Sequence, residues 1–315
     1  MQLTLCGKTK LTKFLIINSL SEFIKQNPRA RVKVFYFALE ESKEEFWLSL
    51  LSTALYEKYN ISLSNADLKS LGRYTVSDSL LAKINDCRAS IEQLEGFIEV
   101  IDHVSNPFGI YKKVRDYFEN PEIGHAITVT ATDNGKEIPI DYEYKDPNLY
   151  VFVVTDHISL LQAEKVDGIK QTLHEAIGHY SKEYCLKGFC KRYKCIVINV
   201  QQQSAEKEKQ EFYQGQSIEQ KLEPSLDGLA NNKETQREAD LILGLFAPAR
   251  YNIKTYRDYK IDVLRDRFRM LIFLKDRHYG LANTYLPLYF DGRTNLFEEL
   301  PRANEINYEN YIKKN

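Results

Sequence analysis

The chain has 315 residues, enough for one large domain or two ordinary ones, and its 43% hydrophobic content is ample for a packed core. Its 43 basic and 44 acidic residues leave a formal charge of −1, which argues against a protein coated by duplex DNA along its length. No run approaches the roughly 18 uncharged apolar residues of a membrane helix, and Met1 to Lys13 lacks the apolar run and cleavage site of a signal peptide. A soluble, intracellular protein with no membrane partner is expected.

In chain order, Thr9 to Ile24 carries apolar residues at helical spacing and stops near Asn27-Pro28. Val32 to Leu39 is an apolar strand, and Glu44 to Tyr59 a helix with Phe46, Trp47, Leu50 and Leu51 on one face. Helices follow at Ser77 to Leu94 and Phe108 to Phe118, separated by a strand at Phe97 to Ile101. Ala126 to Tyr144 is two alternating segments around Asp133-Asn134-Gly135, a hairpin signal, and residues 124–147 read as an insertion. Leu149 to Thr155 and Cys195 to Val200 are continuous apolar runs, as buried parallel strands require. Gln162 to Tyr184 reads as helical. Residues 201–233 are polar and aperiodic, a length of loop that is usually functional or disordered. Asp240 to Phe246 is a strand, and Arg269 to Leu274 pairs with Thr284 to Phe290. The alternation predicts an α/β fold, a mostly parallel central sheet flanked by helices, as one domain over residues 1–300 with a tail at 301–315.

Cys185, Cys190 and Cys195 are spaced C-x4-C-x4-C, which matches no zinc ribbon or finger; buried, reduced thiols are expected instead. Basic residues cluster at Lys182 to Lys194 and at Arg265 to Arg277.

Four features carry the chemistry, three of them at strand ends. Cys6-Gly7-Lys8-Thr9, directly before a helix, is the end of a phosphate loop, GxxxxGK[ST]. Backbone N–H groups there face phosphates, the lysine neutralises them, and the threonine hydroxyl holds Mg²⁺. Gln2 stands where the loop's leading glycine belongs, and the strand expected before the loop is missing, which suggests a truncated chain, a late start codon or a degenerate site. Asp156 closes a buried strand, as a Mg²⁺-holding carboxylate does. Glu40 closes another, placed to activate water. Gln201 closes a third, suited to sensing the γ-phosphate.

This order resembles the RecA-like ATPase core of DnaB-like replicative helicases over nearly the whole chain. FALEES at Phe37 to Ser42 is similar to the family's glutamate motif, VVTDHISLL at Val153 to Leu161 to its Walker B segment, and INVQQQS at Ile198 to Ser204 to its glutamine motif. ETQREADLILGLF at Glu234 to Phe246 resembles the segment after the DNA-binding loop, and FLKDRHYG at Phe273 to Gly280 the Lys-x-Arg finger. The resemblance implies ATP and Mg²⁺ as cofactors, with Cys6, Gly7, Lys8 and Thr9 at the nucleotide, Thr9 and Asp156 at the metal, and Glu40, Gln201, Lys275 and Arg277 in catalysis. It implies that Lys275 and Arg277 reach a neighbour's site within a homo-oligomer, a hexameric ring. Single-stranded DNA would pass its pore loop, with Lys207, Lys209, Asn231, Asn232 and Lys233 as candidate contacts. Primase or a helicase loader are further implied partners, and the implied location is the cytoplasm of a bacterial or phage-infected cell. The family's N-terminal helical domain has no counterpart, and Leu229 to Lys233 lacks the family's charged, glycine-containing pattern. A RecA- or RadA-type recombination ATPase shares the phosphate site and the glutamine. A non-hydrolysing DNA-binding or scaffold subunit fits if the loop is degenerate.

Overall fold

The computed structural model describes residues 7–71, 75–130, 137–166, 168–202, 212–213, 216–217, 222–226 and 233–312. Four strands, β1 (Arg31–Ala38), β2 (Ile98–Ile101), β5 (Leu149–Asp156) and β6 (Ile196–Val200), form a parallel sheet in the order β2-β1-β5-β6. The pair β3 (Gly124–Thr130) and β4 (Glu137–Tyr144) is a separate antiparallel ribbon with an irregularity at Ile127/Thr128. Its two strands fall in the segments read as alternating in the sequence. A second sheet, antiparallel, runs β7 (Leu241–Phe246), β8 (Phe268–Asp276), β9 (Tyr285–Asp291), β10 (Leu296–Glu299). The expected pairing of β8 with β9 is present; β10, which follows a turn at Gly292 to Asn295, completes that sheet.

Both faces of the central strands β1 and β5 are covered, which is why they are continuous apolar runs rather than alternating ones; β6, expected to be buried like them, is an edge strand that leaves Ile196 and Asn199 exposed. Successive side chains take opposite faces. Val34, Tyr36 and Ala38 of β1 and Val154 of β5 pack with α1 (Lys8–Gln26) and α2 (Lys43–Tyr59). Phe35, Phe37, Val151 and Val153 pack on the other side with α5 (Pro107–Phe118) and with Ile177, Tyr180 and Phe189. The helix α4 (Asp78–Glu95), capped by Ser77, lies against α2 through Leu80 and Cys87. Between α2 and α4 the short α3 (Asn65–Leu68) carries a capping box of Ser64 and Asp67.

Two helix starts show local sequence at work. Ser42 caps α2 by accepting from Glu45 N at 3.2 Å, and Glu44 and Glu45 complement the helix dipole. The helix read from Gln162 begins instead at Leu173. Residues 158–160 form a 3₁₀ turn and Lys165–Val166 pairs with Ile169–Lys170, before a capping box of Thr172 and Glu175 starts α6 (Leu173–His179). α6 then continues as a π-helical segment, Tyr180–Arg192.

Helix α1 belongs to both sheets. Leu11, Phe14 and Leu15 pack with Leu245, Leu271 and Leu288 of the antiparallel sheet; Ile16 and Leu20 pack with the parallel one. Each such side chain, fully buried, contributes about 2 kcal/mol. The far face of the antiparallel sheet packs with Tyr256, Tyr259, Leu300 and Ile306. No helix is long and apolar enough to cross a membrane among the described residues.

Candidate nucleotide-binding site

Three parallel strands end level. Ala38, Asp156 and Val200 share one row of the register. The residues just beyond therefore emerge at one edge: Glu40 after β1, His157 after β5, Gln201 and Gln202 after β6. Open α/β sheets receive ligands at this edge.

Alternation decides where the Asp156 carboxylate goes. It shares the face of Val154 and Tyr36, the side covered by α1, whereas Thr155 turns to the other face and meets Tyr180 Oη at 2.7 Å. Asp156 Oδ1 accepts from Thr9 Oγ1 at 3.1 Å and Oδ2 from Tyr36 Oη at 2.6 Å. The side chain is 2% exposed. Burial pushes its pKa up to about 6; the Tyr36 hydroxyl offsets this and the Glu41 charge adds to it. Glu41 is itself neutralised by Lys13, which donates to both its oxygens at 2.9 Å and to Ser49 Oγ at 3.1 Å.

Gly7 precedes α1 with φ +83°, a region that residues with a Cβ avoid, and a Cβ there would meet the Phe290 ring at 3.1 Å. No side chain caps α1, whose first internal bond runs from Leu11 N to Gly7 O at 2.8 Å. The N–H groups of Lys8, Thr9 and Lys10 thus have no acceptor within the helix and favour an anion.

His157 is 3% exposed. Its Nε2 lies 3.6 Å from Glu40 Oε2 and 3.0 Å from Gln202 Nε2, and its Nδ1 is buried with no partner among the described residues. Burial pulls its pKa below the usual value; the Glu40 charge raises it and the Lys8 charge lowers it further. Gln201 Nε2 is buried without a partner among the described residues, and Gln201 shares with Lys8 a cavity of about 60 Å³ bounded by Leu222, Pro224 and Gly244. A larger cavity, about 490 Å³, lies between α1, α2 and α4; of the residues around Asp156 it is bordered only by Lys13, so it is not the site of this chemistry.

These residues fit a nucleotide with Mg²⁺. The leading N–H groups of α1, the orphaned Gln201 amide and the Lys8 ammonium suit phosphate oxygens, and one hydroxyl beside one buried carboxylate suits Mg²⁺, which keeps few protein ligands. No group of three His, Cys, Asp or Glu side chains able to hold a metal occurs among the described residues. Cys87, Cys185 and Cys195 are free and buried and Cys190 is free and half-buried; burial raises Cys185 to about 12 and Cys190 to about 11.

Of the residues singled out in the sequence, Lys8, Thr9, Glu40, Asp156 and Gln201 come together. Lys275 and Arg277 are elsewhere: Lys275 Nζ donates to Gln236 O at 2.6 Å, and Arg277 pairs with Asp240 at 2.8 Å and donates to Arg237 O. They hold the C-terminal end of α7 (Lys233–Glu238). Cys6, Lys207, Lys209, Asn231 and Asn232 lie outside the described residues, and Lys233 is described only as the first residue of α7. Tyr36, His157 and Gln202 were not anticipated. The available signals were the even spacing of Tyr36 and Ala38 on β1 and the adjacency of His157 and Gln202 to chosen strand ends.

A level row of strand ends facing the uncapped start of a glycine-led helix is the phosphate-binding arrangement of an α/β nucleotide-binding fold. The chain shares this fold with a DnaB-like replicative helicase solved for its interactions with primase, at 19% identity and a TM-score of 0.58, over 86% of this chain and 52% of that one. A second solved structure, an ATPase domain on its own, is similar to the same degree, at 19% identity and a TM-score of 0.58, over 86% of this chain and 75% of that one. The chain spans about half the length of the DnaB-like helicase. Its sequence matches no protein-family model and no curated protein.

Proposed function

We propose that this chain is the ATP-hydrolysing motor of a DnaB-like replicative helicase, translocating on single-stranded DNA as a hexameric ring. The observation that carries the reading is the hydrogen bond from Thr9 Oγ1 to Asp156 Oδ1 at the uncapped start of α1, within a fold shared with such ATPase domains. When bound, ATP with Mg²⁺ supplies the bond whose hydrolysis drives movement and the charge that neutralises its phosphates.

The chain's own residues do the rest. Lys8 and the first N–H groups of α1 bind phosphate oxygens. Thr9 and Asp156 would hold Mg²⁺, which would supply positive charge beside the phosphates. Glu40, one-third exposed beside His157, takes the proton of an attacking water. Gln201 answers the γ-phosphate and passes its presence to residues 203–232. Lys275 and Arg277, which contact the end of α7 in this chain, serve the site of the adjacent subunit. Lys207, Lys209, Asn231, Asn232 and Lys233 contact the DNA backbone without reading sequence. In the assembled replication machinery the ring meets primase or a loader.

The test is ATP hydrolysis with and without single-stranded DNA, together with strand displacement from a forked duplex. Single-stranded DNA should stimulate the wild type, and Lys8→Ala should lower hydrolysis by about 100-fold or more. Equal rates in the two proteins would sink the motor reading in favour of a scaffold subunit.

A further inference from the structure

His157 sits between two of the site's working parts and has only one nitrogen to offer them. Nε2 is 3.0 Å from Gln202 Nε2 and 3.6 Å from Glu40 Oε2, while Nδ1 points into the protein with no partner among the described residues. The ring is 3% exposed, so solvent cannot relieve the competition. A neutral imidazole nitrogen either donates or accepts. With Nε2 bare, it accepts from the Gln202 amide and presents a lone pair to the Glu40 carboxylate, which is repelled. With a proton on Nε2, it donates to Glu40, and Gln202 must turn its amide oxygen inward or withdraw.

Gln202 adds a second restraint. Its backbone N–H donates to Ser159 Oγ at 3.4 Å, so the start of the segment leaving β6 is held to the turn that follows β5. The ring nitrogen is thus shared between the carboxylate expected to orient water and the first residues of the segment expected to meet DNA.

We propose that His157 is a positioning residue that couples Glu40 to Gln202, so that the position of the chain leaving β6 sets whether Glu40 is held for hydrolysis. This rests on the motor reading and adds to it the contact through which DNA occupancy regulates hydrolysis. His157 touches neither substrate nor metal in this scheme; it acts through Glu40.

The experiment measures the ratio of ATP hydrolysis with oligo(dT) to that without it, alongside KM for ATP and thermal stability. In His157→Ala the ratio should fall by about fivefold or more, the scale of a typical coupling between sites. KM should stay within about twofold, because the phosphate grip of Lys8 and Thr9 is untouched. His157→Gln, which keeps one donor and one acceptor at similar reach, should recover part of the ratio; a merely structural role would lower stability in both and split neither kinetic constant. Gln202→Ala, at a half-buried position that folding tolerates better, should cause the same loss, and the double variant should be no worse than either single one. Additive losses, or a ratio unchanged in both single variants while the wild type is stimulated, overturn the coupling and leave the motor reading standing. A wild type that DNA does not stimulate removes both.

Discussion

Asp156 is the residue whose chemistry and stability pull in opposite directions. Its carboxyl is raised from 3.8 to about 6, chiefly by burial. A folded-state pKa above the unfolded one means the native state binds the proton more tightly. The resulting stability is fully present below about pH 4 and is lost as pH rises to about 6, leaving the metal-free protein at neutral pH short by about 3 kcal/mol. Asp156→Asn stays neutral and still accepts from Thr9 or Tyr36. Metal-free Asp156→Asn should therefore melt at a higher temperature than wild type at pH 7.5, with the gap closing towards pH 4, while hydrolysis is lost. A variant less stable than wild type at pH 7.5 would contradict the burial argument. At this scale the sequence showed the residues that terminate strands, Glu40, Asp156 and Gln201, because an apolar run ending in a polar group is visible in one dimension. Tyr36 was hidden because a tyrosine inside an apolar strand looks like core, and it is core, except for its hydroxyl. His157 and Gln202 were hidden because their role lies in facing each other across 45 residues of sequence.

At the scale of elements, the start of α6 gives a direct test. Thr172 Oγ1 accepts from Glu175 N at 3.2 Å, and Glu175 Oε2 accepts in turn from Thr172 N at 2.8 Å. Thr172→Ala should destabilise by about 1 kcal/mol in urea denaturation, whereas Thr172→Ser should be near neutral. A null result for Thr172→Ala would mean that tertiary packing of Ala176 and Ile177 alone sets this boundary. The boundary was legible: Thr172-x-x-Glu175 is a capping-box pattern, although the spacing from Gln162 onward reads as helix. Gly168, with φ +82°, turns the chain between the two short strands that interrupt that reading. Strands were easier. Burial on both faces makes β1 and β5 continuous apolar words, whereas β6 reads the same yet lies at the sheet edge with Ile196 and Asn199 exposed, and the hairpin advertised itself by alternation. The last strand, β10, is four residues, too short to show a period.

For the whole molecule, the engagement of Lys275 and Arg277 with the end of α7 is the informative feature. If these cations work across a subunit boundary, a protein with a broken phosphate grip still owns a good finger, and the converse. Lys8→Ala and Arg277→Ala should each be inactive alone, and mixing them should restore hydrolysis at roughly a quarter of the boundaries in a randomly assembled ring. No recovery after subunit exchange would place the finger pair in a structural role at the end of α7. The arrangement into two four-stranded sheets was only partly written in the sequence. Alternating helix and strand announces the parallel half, whereas the antiparallel half follows from register and closure, which depend on contacts far apart in the chain.

Helix α1 works as a strut. Its first turn looks at Asp156, its middle leans on Leu271 of β8, and its later turns are wedged into the parallel sheet. Close-packed interiors shift as solid pieces rather than yielding locally. Any tilt imposed on the helix at Thr9 is therefore also a displacement of β8, the strand that carries Lys275.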